Sequence, residues 1–271
     1  MKFSVLISIY FKENPEYFNS AMKSIWTLQT LKPDEILLVE DGPLTEALYE
    51  AISYWQNDIG DALKVIKLEN NMGLGDALNR GLLSCRNELV ARMDTDDIAR
   101  PDRFEKQISY MLQNPLCDVV GGWIEEFELD THEAMLCRKT PLEHQKIVNF
   151  AKKRNAMNHV SVMFKKDKVQ NAGGYKTVVG FEDYDLWTRM IMQGSQFANL
   201  PNVFVSVRAG SGLLFRRRGL NYAIAEFYFQ KSLFQYGFLN LFEFLRNVIL
   251  RFPARIAPTC ILGFIYKQLR E

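Results

Sequence analysis

The chain is short of the side chains that staple or metallate a fold through sulfur and imidazole. Its four cysteines, Cys85, Cys117, Cys137 and Cys260, contain no Cys-x-x-Cys spacing, and its three histidines, His132, His144 and His159, form no zinc-like cluster. A disulfide framework and a structural zinc are therefore excluded as organising devices. Long apolar runs are missing too: no window reaches ~18 consecutive apolar residues, which argues against a spanning helix. The amino terminus enters an apolar segment at once, with one lysine and no cleavage-site pattern. No secretory signal is visible, and a reducing, cytoplasmic setting is expected. There is no internal repeat and no low-complexity stretch. The net charge is only +1, and no nucleic-acid partner is expected. That balance is uneven, because residues 208–271 hold ten Lys/Arg and three Asp/Glu, a net of +7, leaving −6 on the rest. An acidic body with a basic tail suggests a tail that meets an anionic surface.

What is present is enough apolar material, 48% of 271 residues with 13% aromatic, for one large α/β domain and an appendage. Phe3 to Tyr10 reads as a strand buried on both faces. Tyr17, Ala21, Ile25 and Leu28 recur at helical spacing, predicting a helix to about Thr30 that Pro33 ends. Glu35 to Val39 is a second strand, Thr45 to Trp55 a helix, and Leu63 to Leu68 a third strand. Alternation of this kind is the signature of a mostly parallel, doubly wound sheet. Further on, Pro101 fits the first turn of a helix to Gln113, Asp118 to Ile124 a strand, and Glu143 to Ala151 a helical piece. His159 to Phe164 reads as a strand, and Phe197 to Val207 as a strand pair around Pro201.

Three segments carry chemistry. Arg92-Met93-Asp94-Thr95-Asp96-Asp97 places three carboxylates within four residues, directly after the short apolar run Glu88-Leu89-Val90-Ala91. Ligands of open α/β sheets bind at the carboxyl ends of strands. Clustered carboxylates there suit a hard divalent cation, Mg²⁺ or Mn²⁺, bridging a phosphate-bearing ligand. The plainer alternative is a solvated acidic turn with Asp97 capping the next helix. The second segment, Asn70 to Gly81, has Gly73 and Gly75 at the start of a helix, where backbone can approach a ligand or small residues can simply pack a helix on a sheet. The third, Gly180 to Met190, opens a helix with Glu182, Asp183 and Asp185, which the helix dipole alone would favour. Beyond about Gly219 aromatic residues become dense and basic residues interrupt them at Arg216 to Arg218, Lys231, Arg246, Arg251 and Arg255. Pro253 and Pro258 are expected to divide two or three helices there. Such helices suit a membrane interface, a helical cap or a homodimer contact.

Taken in order, these segments resemble glycosyltransferase family 2. The resemblance covers about residues 3–207 and rests on Ser4 to Tyr10, Val39-Glu40-Asp41-Gly42, Asn71 to Gly81, Met93 to Asp97, Arg100-Pro101-Asp102-Arg103 and Glu182 to Leu186. It is similar above all to the bacterial enzymes that build O-antigen, capsule or exopolysaccharide. The fold implied is a three-layer α/β/α Rossmann-like mixed sheet, the GT-A fold, over residues 1–215, with a C-terminal helical extension over 216–271.

The resemblance also implies roles. Ile9 and Tyr10, with Glu13, would border the base and ribose of a nucleotide-diphospho-sugar, and Asp41 would hydrogen-bond the base, expected to be uracil. Gly73 and Thr95 would line the nucleotide and sugar, Asp94 would contact ribose or sugar, and Asp94 and Asp96 would hold Mn²⁺ or Mg²⁺. Asp183 would be the general base of an inverting transfer, with Glu182, Arg100, Arg103 and His159 in the donor or acceptor pocket. The Gln-x-x-Arg-Trp motif of processive members is missing, so one sugar per acceptor is expected, the acceptor being a lipid-linked saccharide reached peripherally at the inner face of the cell membrane. Two other readings compete. A nucleotidyltransferase would show an early glycine-rich basic loop, which Phe11 to Pro15 lacks, and an inactive binding module would have no use for Asp94, Asp96 and Asp183 together.

Overall fold

The computed structural model describes residues 1–127, 134–208 and 219–256. His132, Cys260, Pro258, Arg216 to Arg218 and the chain after Ile256 lie outside the described residues. Nine strands form one sheet in the order β3-β2-β1-β4-β8-β6-β9-β5, with β7 added alongside β6. They are β1 (Phe3–Ile9), β2 (Glu35–Glu40), β3 (Leu63–Lys67), β4 (Leu89–Arg92), β5 (Ile98–Ala99), β6 (Cys117–Phe127), β7 (Ala134–Arg138), β8 (Met163–Lys165) and β9 (Gln196–Arg208). The first four are mutually parallel. β8 runs antiparallel to β4 and β6, and β5 and β7 are antiparallel to their neighbours, so the sheet is mixed rather than mostly parallel.

Alternation along the central strands assigns the two faces. Val5, Ile7 and Ile9 with Ile36 and Leu38 face one core, under helices α1 (Pro15–Ile25), α2 (Glu46–Ile59) and α4 (Arg103–Gln113). Leu6 with Leu37 and Val39 faces the other, under α3 (Leu74–Ser84), α5 (His144–Ala151) and α7 (Glu182–Met192). A short helix, α6 (Lys166–Asn171), follows β8 and was not foreseen. The three-layer expectation is therefore met. Beyond the sheet, α8 (Leu220–Gln235) and α9 (Leu241–Ile256) form a helical hairpin. Its Phe229 stacks on Phe181 at 4.6 Å between ring centroids.

Five expectations need correction. α1 stops at Ile25, not Thr30, because the Gln29 amide leaves the helical path to donate to the carbonyls of Ser24 (2.7 Å) and Arg100 (2.8 Å). His159–Ser161 is a 3₁₀ turn before β8, drawn in by Asn158, whose amide donates to Gly122 O at 2.8 Å. β9 is one strand: Gly122 pairs with Leu200 and Trp123 with Val203, so Pro201 sits in a bulge where its missing N–H is harmless. Pro253 lies inside α9 and divides nothing, and Pro101 precedes α4 by two residues.

α3 lies close on the sheet at Gly81. A Cβ there would stand 2.4 Å from Leu6 Cδ1 and 2.7 Å from Val39 Cγ2. Gly81→Ala is expected to lower stability by about 1–3 kcal/mol through overpacking, read as a drop in the urea midpoint with an unchanged slope.

Candidate active site

The register of the parallel strands decides where the acidic turn lies. Leu6 pairs with Arg92, the last residue of β4, so the turn that follows runs beside the last residues of β1. Carboxylate oxygens of Asp94, Asp96 and Asp97 all lie within 4.8 Å of one another. Burial pushes Asp96 and Asp97 above the usual carboxylate range, Asp97 strongly, and Asp94 adds to both rises. Asp97 does not cap a helix: its Oδ1 accepts the amide of Arg208 at 3.0 Å, and β5 follows it. Oxygen-only donors held against their own repulsion are what a hard divalent cation neutralises, so the residues present fit Mg²⁺ or Mn²⁺.

Arginines surround this turn without filling it. Arg92 is buried, pairs with Asp94, and has an Nε with no hydrogen-bond partner among the described residues. Arg103 is fully buried beneath: it donates to the carbonyls of Arg92 (2.7 Å) and Val162 (3.3 Å) and to Gln107 Oε1 (3.1 Å). Burial, with Arg92 close by, pulls its pKa down to about 9. It is a support for the turn and not a pocket residue. Arg208 covers the turn, with its Nε donating to Asp96 O at 2.6 Å and its guanidinium 4.1 Å from the Tyr17 ring centroid.

A second carboxylate approaches from α7. Asn155 Nδ2 donates to Asp183 Oδ2 at 2.6 Å, which orients the carboxylate. Glu182 beside it has a pKa raised by burial, and its Oε1 accepts the amide of Gly180 at 3.2 Å. Asp185, one turn further in, is structural. It accepts from Arg189 Nε at 2.8 Å, and Arg189 in turn donates to the carbonyls of Ala172 and, at 2.7 Å, of Gly174. That clamp sets the turn at Gly173 (φ +82°) and Gly174 (φ +63°), conformations that favour glycine.

The turn delivers Tyr175 to α3 and to His159. Asn79 of α3 holds its backbone in both directions, accepting from Tyr175 N at 2.8 Å and donating to Tyr175 O at 2.7 Å. Its hydroxyl is 2.9 Å from His159 Nε2. Burial raises its pKa, Arg92 opposes the rise, and both Asp183 and Asp94 add to it. Asp94 and Asp183 thus act on one phenol, from distant parts of the chain. His159 is pushed well below the ordinary histidine range, first by burial and then by Arg92, and is neutral at pH 7.

The glycine segment closes the same end of the sheet. Asp41 Oδ1 accepts from Met72 N at 2.7 Å and Oδ2 from Gly73 N at 3.0 Å, so this carboxylate shapes the loop at the strand ends. Gly75, at the start of α3, faces Tyr175 and Glu182: a Cβ there would lie 3.5 Å from Tyr175 Cβ and 3.8 Å from Glu182 Cγ. Ile9 has its side chain in the core and its carbonyl taken by Asp41 N at 2.8 Å, whereas Tyr10 is only partly buried and accepts Glu13 N at 3.0 Å through its carbonyl. Thr95 is buried within the turn.

Of the residues singled out from the sequence, Asp94, Asp96, Gly73, Asp41, Glu182, Asp183 and His159 gather around the carboxyl end of the parallel strands. Arg100 does not join them by any bond: its side chain pairs with Glu125 of β6, and its backbone amide with Phe204 O of β9 at 2.8 Å. Sequence reasoning missed Asn155, Tyr175, Asn79, Arg92 and Arg208. Only Tyr175 had a signal, the two glycines before it; the others are ordinary polar residues until the fold brings them together.

The model of the family described as "Glycosyl transferase family 2" matches residues 4–220. The chain is 42% identical to the amylovoran biosynthesis glycosyltransferase AmsE of Erwinia amylovora, over 99% of each chain. It is 36% identical to an Escherichia coli UDP-Gal:alpha-D-GlcNAc-diphosphoundecaprenol beta-1,3-galactosyltransferase, over 99% of this chain and 96% of that one. Among solved structures, the mannosyltransferase PcManGT of Pyrobaculum calidifontis, in complex with GDP-Man and Mn²⁺, superposes with a TM-score of 0.64 at 17% identity. That match covers 86% of this chain and 64% of the other, and carries the fold.

A partly buried, neutral histidine makes stability depend on acid in a defined direction. Below about pH 6.5 the unfolded chain takes up a proton that folded His159 refuses, so stability falls as pH drops through that region. His159→Gln is expected to flatten the melting temperature between about pH 5 and 6.5, removing a slope of up to about 1.4 kcal/mol per pH unit.

Proposed function

The chain belongs to glycosyl transferase family 2 and is a glycosyltransferase; from that premise we propose that it transfers one sugar, with inversion, from a UDP-sugar to a lipid-pyrophosphate-linked saccharide during assembly of a bacterial surface polysaccharide. The observation that carries this reading is the acidic turn, where carboxylate oxygens of Asp94, Asp96 and Asp97 lie within 4.8 Å of one another at the carboxyl end of the parallel strands. The E. coli relative's own donor and acceptor, UDP-Gal and a diphosphoundecaprenol saccharide, support the substrate classes.

The chemistry follows from the two acidic groups. The acceptor hydroxyl attacks the anomeric carbon, a new C–O bond forms, and the bond from that carbon to the diphosphate oxygen breaks with its electron pair leaving on the nucleotide. Asp183 accepts the hydroxyl proton as the attack proceeds. Asn155 keeps one of its oxygens oriented by a charge-assisted hydrogen bond. Attack from the Asp183 side with departure toward the acidic turn is a single displacement, which converts an α-linked donor into a β-linked product. A divalent cation held by Asp94, Asp96 and Asp97 would supply positive charge to the leaving diphosphate. Asp41 fixes the loop of Met72 and Gly73, and the reading has the backbone of that loop line the nucleotide.

A lipid-linked acceptor requires the enzyme to work at the membrane surface. No described helix is long and apolar enough to cross a membrane, and the reading assigns a peripheral contact to the basic, aromatic C-terminal helices.

Asp183→Asn is expected to lower kcat by about 10³-fold or more while the donor Kd stays within a few-fold, measured by nucleotide release and by calorimetry. Persistent transfer would remove Asp183 from its role. Asp96→Asn should abolish the stimulation of donor binding by Mn²⁺ or Mg²⁺, read by calorimetry with and without the ion. Metal-independent donor binding by the unsubstituted protein would overturn the metal assignment.

A further inference from the structure

The hairpin of α8 and α9 is inside out for a helix pair on a water-facing surface. The exposed residues of α9 are Leu241, Phe242, Leu245, Ile249, Leu250, Pro253 and Ile256, and none is polar. Phe242 is 75% exposed and Ile249 67%. At about 100° per residue they cover about half the circumference of a helix about 22 Å long. The polar residues of α9 point the other way. Arg251 and Arg255 both pair with the buried Glu226 of α8, Asn247 donates to Gln230 Oε1 at 2.8 Å and to Lys152 O at 2.9 Å, and Glu243 pairs with Lys152 at 3.0 Å. Arg246 also reaches Lys152 O, at 3.2 Å. The arginines of α9 are therefore not spread over a water-facing side: they fasten the hairpin together and to the body.

We propose that the apolar face of α9 is a bilayer-contact surface, seated in the interfacial region of an anionic membrane leaflet. The proposal deepens the functional reading and rests on it for its partner, because a lipid-linked acceptor brings the enzyme to that leaflet. Two observations favour lipid over a second copy of the chain. The sequence of residues 208–271 carries a net charge of +7, which an anionic leaflet attracts, and Lys231 of the described hairpin is exposed while Arg251 and Arg255 are already paired with Glu226. The relative that acts on a diphosphoundecaprenol saccharide aligns over 99% of the chain, α8 and α9 included. Tyr228 and Lys231 are exposed on α8, side chains that suit the headgroup level at the border of an apolar face.

The same hairpin braces the base. α8 packs Phe229 on Phe181 and Tyr184, which flank Glu182 and Asp183, while α9 holds Lys152, three residues before Asn155. Both partners of the Asn155–Asp183 hydrogen bond are thus fastened to the element that lies on the membrane.

The test uses the full chain and vesicles of roughly one part phosphatidylglycerol to three parts phosphatidylethanolamine, with phosphatidylcholine vesicles as the neutral comparison. Co-sedimentation of the unsubstituted protein with the anionic vesicles is expected. Leu245→Glu/Ile249→Glu should weaken it by about tenfold or more, with melting temperature and donor binding unchanged. Equal partitioning of the two proteins, or no partitioning of the unsubstituted one, would overturn the proposal. So would a dimer in sedimentation equilibrium that the double variant converts to monomer. Vesicle binding needs neither acceptor nor turnover, so it can fail while the Asp183→Asn result stands, and the reverse.

Discussion

Like-charge repulsion within the acidic turn is the constraint around which this molecule is built. Asp94, Asp96 and Asp97 are held closer than free carboxylates would choose, and Asp96 and Asp97 are raised above their ordinary range by burial and then by Asp94. The surrounding structure tolerates this through fixed positive partners: Arg92 on Asp94, Arg208 along the backbone of Asp96 and at Asp97, and Arg103 under the carbonyl of Arg92. Of these contacts only Arg92–Asp94 joins a guanidinium to a carboxylate, and Asp94 is 40% exposed, so solvent screens that pair. The charge left uncompensated is the part a cation can satisfy.

Around that turn the fold assembles pieces that are remote in sequence. β4 supplies the acidic residues, α3 the glycine loop, the Gly173–Gly174 turn the phenol, and α7 the second carboxylate. Each is anchored by neighbouring side chains. Asp185 and Arg189 fix the glycine turn, Asp41 fixes the loop ahead of α3, and Lys152 ties α5 to α9. Pocket-facing and anchoring residues are therefore interleaved: in Glu182-Asp183-Tyr184-Asp185 the first two face the site and the last two face inward, as helical spacing dictates.

Much of this was legible in the sequence. Strand–helix alternation gave the three layers, and the spacing of carboxylates after an apolar run gave the acidic turn. What was hidden depended on three-dimensional neighbours. Arg100 and Arg103 sit three residues apart in one motif, yet one pairs with Glu125 on β6 and the other is sealed beneath Arg92; only packing separates them. Asn155 reads as any loop asparagine until Asp183 arrives opposite it. β9 looked like two strands because Pro201 breaks local pairing, and only its neighbour β6 could reveal a bulge instead. The inward arginines of α9 were unreadable for the same reason, since their partner Glu226 lies on the other helix.

The reciprocal bonds between Asn79 and Tyr175 carry a mechanical consequence. A donor and an acceptor shared in both directions allow neither side to slide, so α3 and the glycine turn travel as one plate. Motion that separated Tyr175 from α3 would have to break both bonds at once, so the phenol keeps its place beside that helix.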